Sequence, residues 1–95
     1  MHLLRYEEWQ GAGGYWHCND TSDLKNNSAA WYHPARMLGI SPVDFVKLLI
    51  ERFQPDHIKF YQEANVLTYS WKSQAKMRLY KNWLNAEARK RNYRI

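Results

Sequence analysis

The chain has 95 residues, a formal net charge of +5, and 45% apolar and 16% aromatic residues. That balance excludes a charge-rich disordered chain and predicts one small domain over 1–95, which the elements below make α+β, with a thin stability margin. The single cysteine, Cys18, excludes an intrachain disulfide framework, and apolar runs such as 29–32 and 48–50 fall far short of the roughly 20 residues of a membrane span.

The opening MHLLRYEEW holds no apolar stretch long enough for a signal peptide, so a reduced, cytoplasmic protein that engages no membrane is expected. Residues 3–9 and 15–19 are aromatic-rich and flank QGAGG, which predicts a β-hairpin. No Lys-Ser/Thr follows GAGG, so it does not match a phosphate loop. The polar stretch 20–28 reads as a loop. Ser28 can then cap a short helix that Pro34 bends or starts and Gly39 ends.

Ser41-Pro42-Val43-Asp44 combines an N-cap, a first-turn proline and an acidic residue at the positive helix end, which predicts a helix to about Phe53. Gln54-Pro55-Asp56 breaks it. Residues 57–62 and 66–71 predict a second hairpin, with Ile58 and Phe60 on one face and Lys59 and Tyr61 on the other. Ser70 or Ser73 caps a long, basic C-terminal helix reaching about Asn92.

Ala35, Leu38, Gly39, Ile40, Ser41 and Val46 resemble a helix-turn-helix, and the hairpin after it could serve as a wing. A winged helix-turn-helix is therefore the alternative fold. Projection at 100° per residue argues against a recognition helix. Val43, Phe45, Val46, Leu49, Ile50 and Phe53 fill more than half the circumference. The remaining stripe of Asp44, Lys47, Glu51 and Gln54 offers two carboxylates to a phosphate backbone that would repel them. The expectation is a helix buried in the core over 42–53.

Charge is unevenly spread. Residues 1–56 carry a net −2 and residues 57–95 a net +7, with eight cations and one carboxylate from Lys72 onward. Dipole complementarity at a helix C-terminus explains only a few of these cations, and their mutual repulsion favours an anionic partner. On the last helix, Met77, Tyr80, Trp83 and Leu84 project as the buried face, extended by Ala75, Leu79 and Ala86. Arg78, Lys81, Asn82, Asn85 and Arg89 project opposite.

The first functional expectation is a non-enzymatic protein that binds nucleic acid, DNA or RNA, through its phosphate backbone. Lys72, Lys76, Arg78, Lys81, Arg89, Lys90, Arg91 and Arg94 would contact phosphates, and Tyr61 would stack on a base. The alternative is a protein-interaction module: an inhibitor or accessory subunit of a larger nucleic-acid-processing protein, in the manner of small proteins of phages and mobile elements. Its anchors would be Trp9, Tyr15, Trp16 and Trp31. No metal, cofactor or catalytic group is expected. His17, Cys18, His33 and His57 match no zinc spacing, no particular histidine is placed near Cys18, and Glu7 and Glu8 would point to opposite faces of a strand.

Overall fold

The computed structural model describes residues 6–20, 32–61, 63 and 66–91. Two antiparallel hairpins and three helices form a mixed α+β arrangement. Strand β1 (Tyr6–Gln10) pairs with β2 (Trp16–Asp20) across a short turn at Ala12–Gly14. Strand β3 (His57–Tyr61) pairs with β4 (Val66–Ser70). Between the hairpins come helices α1 (Tyr32–Leu38) and α2 (Pro42–Leu48), and helix α3 (Gln74–Lys90) closes the chain.

Local chemistry accounts for most boundaries. Pro34 lies in the first described turn of α1, and the expected cap Ser28 lies outside the described residues. Gly39 ends α1 at φ 68°, a conformation that costs glycine nothing. The Ser41 hydroxyl accepts the Asp44 N–H at 3.2 Å, and Pro42 occupies the first turn of α2. Ser73, not Ser70, caps α3, accepting the Lys76 N–H at 3.3 Å. Ser70 is buried within β4.

One backbone contact joins the hairpins. Trp16 and Trp71 exchange N–H···O bonds of 2.6 and 3.0 Å, setting β2 beside the end of β4. Side chains on one face of the joined strands, Tyr6, Cys18, Leu67, Tyr69 and Trp71, are buried under the helices. Tyr80, Met77, Leu84 and Ala88 of α3 and Phe45 and Leu49 from the α2 region complete this core. It is dense in rings. Tyr69, Trp71 and Tyr80 lie with centroids 5.1–5.8 Å apart, and the Trp71 indole N–H donates to the Phe53 carbonyl at 2.7 Å. The Tyr69 and Tyr80 hydroxyls bond to each other at 2.8 Å, so two buried polar atoms satisfy one another.

Two projections require correction. The α2 helix continues as a π-turn over Leu49–Phe53, and its buried line runs through Phe45, Leu49 and the half-buried Val46 and Phe53. Val43 and Ile50 stand roughly a quarter-turn off that line and are 64% and 50% exposed. The apolar arc is wider than the core it meets. On α3, Leu79 is 65% exposed and Ala75 and Ala86 are exposed too, because the buried line follows Met77, Tyr80, Leu84 and Ala88. Phe60, on the same face of β3 as Ile58, is half exposed beside α2.

The paired tyrosine hydroxyls give a direct test. Tyr80→Phe strands the Tyr69 hydroxyl without a partner and should cost about 1–3 kcal/mol in urea unfolding. Tyr69→Phe/Tyr80→Phe should cost less than the sum of the single changes, since neither hydroxyl then remains buried alone.

Candidate nucleic-acid interface

Two of the five cations on α3, Arg78 and Lys81, are occupied. Glu8 projects from β1 toward the helix side of the sheet and meets Arg78 at 3.0 Å through both Nε and Nη2, and Lys81 at 2.9 Å. Gln74 adds a fourth donor at 3.1 Å. The hydrogen bonds from Arg78 and Lys81 hold the Glu8 carboxyl down at about 2. Asn85 fastens the same strand, accepting the Tyr6 N–H at 2.8 Å and donating to the Tyr6 carbonyl at 3.1 Å. Arg78, Lys81 and Asn85 therefore tie α3 to β1, where the sequence projection had left them open to phosphates. Arg91 pairs with Glu87 one turn back.

Lys76, Arg89 and Lys90 are exposed and form no ion pair among the described residues. At 100° per residue Lys76 and Lys90 point to nearly the same side but lie about 21 Å apart along the axis, and Arg89 points elsewhere, so the three make no continuous stripe. Arg94 and Trp31 lie outside the described residues.

The opposite face of the sheet carries a different surface. Trp71 faces the helices, so the alternation of strands turns Ser70 the other way, with its register partner His57. Continuing the Trp16–Trp71 register by one residue brings His17 level with Ser70, and His17 pairs in turn with Trp9. Trp9, His17, Ser70 and His57 thus form one row across four strands. Thr68, Lys59 and Tyr61 continue this face along β4 and β3, and no described helix packs on it.

Two tyrosines on this surface each carry a lysine. Lys59 Nζ sits 4.9 Å from the centre of the Tyr61 ring, which is 44% exposed. Lys72 Nζ sits 6.0 Å from the Tyr15 ring. Between them, Ala12, Tyr15, His17, His57 and Ser70 line a recess of about 310 Å³. His57 Nε2 meets the Thr68 hydroxyl at 3.1 Å, and that hydroxyl donates to the Lys59 carbonyl at 3.4 Å. His17 stacks on Trp9 with centroids 4.1 Å apart and planes 9° apart. Gly11 permits this packing, because a Cβ there would lie 2.9 Å from His17 Nε2 and 3.0 Å from the Trp9 ring. Burial, and secondarily the charge of His57, lower the His17 pKa, while a hydrogen bond to the Tyr69 backbone opposes them.

Of the aromatic residues singled out in the N-terminal segment, Trp9 and Tyr15 belong to this surface. Trp16 faces the other way and packs against the core. His17, His57 and Lys59 were not among the expected contacts. The spacing of His57, Lys59 and Tyr61 at every second residue of a strand was the available signal for two of them. Cys18 is buried, and burial pushes its thiol pKa far up, which makes it a poor nucleophile. Elsewhere, an apolar groove of about 420 Å³ runs between α2 and β3, lined by Pro42, Val43, Val46, Lys47 and Phe60. No helix among the described residues is long and apolar enough to cross a membrane. Comparison with protein-family models, with curated proteins and with solved structures finds no match to this chain.

The Glu8 cluster predicts a pH dependence. A carboxylate whose folded pKa lies at about 2, below the ordinary 4.5, stabilises the fold fully above 4.5, and that contribution is lost as pH falls toward 2. Urea midpoints followed across this window should fall for the native chain. For Glu8→Gln they should start lower and lack that component, so the two curves converge near the acid end.

Proposed function

We propose that this chain is a non-enzymatic nucleic-acid-binding protein that holds a single strand across the face of its sheet opposite the described helices. The observation carrying this reading is the repeated pairing of a ring with a lysine: Tyr61 under Lys59 and Tyr15 under Lys72. An aromatic ring stacks any base, because every base has a π-face, and a cation beside the ring meets the phosphate that follows. A duplex keeps its bases stacked on one another and cannot use such rings, so an unpaired strand is the better fit.

Lys76, Arg89 and Lys90 lie in the helical layer, away from this face. They contribute to the positive field that draws a polyanion in, and touch it little. Of the expected phosphate contacts this reading keeps Lys72 and adds Lys59, with Arg78 and Lys81 held by Glu8.

A second reading, an interaction module for a larger protein, draws on the apolar groove at Pro42, Val43, Val46 and Phe60. The groove shares no side chain with the sheet face, where the expected anchors Trp9 and Tyr15 lie, so substitutions in the groove test it separately.

Fluorescence anisotropy with labelled single-stranded and duplex oligonucleotides tests the proposal. Single strands should bind more tightly, with affinity falling steeply between about 50 and 200 mM salt. Tyr61→Ala should cost about 1–3 kcal/mol of binding, and Lys59→Ala should reduce the salt slope by about 0.7. Val43→Ser in the groove should leave binding unchanged. Affinity indifferent to salt, or equal for single strand and duplex, overturns the reading.

A further inference from the structure

The recess between the two hairpins has a chemistry that base stacking does not require. Its walls bring two imidazoles, His17 and His57, together with the Tyr15 phenol and the Ser70 hydroxyl, and Lys72 stands over Tyr15 at the rim. At about 310 Å³ it is at the small end of ligand-binding pockets. We propose that this recess is a phosphate-binding pocket, in which His17 and His57 grip a phosphate monoester from opposite strands and Lys72 and Tyr15 close over it. The assignment of that phosphate to the end of a nucleic-acid strand rests on the function proposed above; the pocket itself does not.

Charge and hydrogen bonding favour a phosphate over a neutral ligand. The His57 Nε2–H is committed to the Thr68 hydroxyl, whose own proton goes to the Lys59 carbonyl. On His17 a proton is disfavoured by burial and by the facing charge of His57. An anion between the rings removes the second of these penalties. Binding of an anion and proton uptake on His17 then reinforce one another, and affinity rises as pH falls.

The surrounding groups leave room for this. From β1, Trp9 stacks on His17 and carries no charge, and Glu7 lies two residues along the same face. From β3 come His57 itself and Lys59. From the segments beside β4 come Lys72 and Asp56, and the Asp56 carboxylate accepts the Lys72 backbone N–H at 2.8 Å. Tyr69 contributes its backbone, not its phenol, to His17. A phosphate monoester has its second pKa near about 6, so it loses one charge as pH falls past that value, and the gain in affinity should flatten below about pH 5.5.

Histidine-ring NMR signals report on this directly. Inorganic phosphate titrated into the full chain at about pH 5.5 should shift the His17 and His57 resonances saturably, with affinity about fivefold weaker at pH 7.5. Chloride at matched ionic strength should not reproduce the shifts. His57→Gln, at an exposed position, should weaken phosphate binding while the rest of the spectrum stays folded. Ring signals unmoved by phosphate at about pH 5.5, or moved equally by chloride, overturn the pocket. Oligonucleotides bearing a 5′-phosphate or a 5′-hydroxyl separate it from the proposed function. Phosphate binding without oligonucleotide binding keeps the pocket and removes the nucleic-acid role. Oligonucleotide binding with no phosphate-dependent shift does the reverse.

Discussion

The exchange of backbone hydrogen bonds between Trp16 and Trp71 is the constraint from which the rest of the arrangement follows. Each hairpin alone is a two-stranded ribbon, a form of marginal stability in water. Joined at this bridge, the two acquire a common register and common faces. One face turns Tyr6, Cys18, Tyr69 and Trp71 toward the helices. The other aligns Trp9, His17, Ser70 and His57. A one-residue slip at the bridge would send Trp71 outward and take the imidazoles off the recess. The indole of Trp71 guards against such a slip, because its N–H is bonded to the Phe53 carbonyl and its ring is locked between Tyr69 and Tyr80.

The electrostatic layout follows from the same division. In sequence the positive charges crowd the C-terminal part, and a linear count makes α3 the natural anion contact. In space, a carboxylate 70 residues away meets two of those cations. Glu8 can do so because β1 lies against α3 and its alternation aims residue 8 at the helix. With four donors on its carboxylate, Glu8 is a better-satisfied partner than a mobile phosphate in solvent, and Arg78 and Lys81 have little to gain by leaving it. What distinguishes the remaining cations is the company they keep. Lys59 and Lys72 lie over rings, whereas Lys76, Arg89 and Lys90 stand apart from one another.

Much of the local structure was legible in the amino-acid sequence. Ser41-Pro42 starting a helix, Gly39 ending one, and the two-residue alternation of His57–Tyr61 are decided within a few residues by capping and pleat geometry. The widths of the buried faces were not legible. Val43, Ile50 and Leu79 are apolar residues at the margins of amphipathic helices, and whether such a margin is covered depends on how far the neighbouring layer extends. Least legible was the recess. His17 and His57 stand 40 positions apart, and only the junction of two separately formed hairpins brings them together. Lys59 and Tyr61 were already assigned to one face of a strand by alternation, but nothing local indicated which face the helices would cover.

A domain this small has few ways to keep both a core and a working surface. The ring-rich interior draws on both hairpins and on α2 and α3, so the helices are committed to stability along one side and, through Glu8 and Asn85, along a flank as well. The sheet is different. Its strands are held by ladder hydrogen bonds and by the helices beneath, so the side chains of its far face can be polar, charged or aromatic. That freedom explains why His57, Lys59, Thr68 and Tyr61 alternate so regularly with Ile58, Leu67 and Tyr69. The backbone that fixes the buried residues also fixes their neighbours, giving the exposed rings and imidazoles a rigid platform at no further entropic cost.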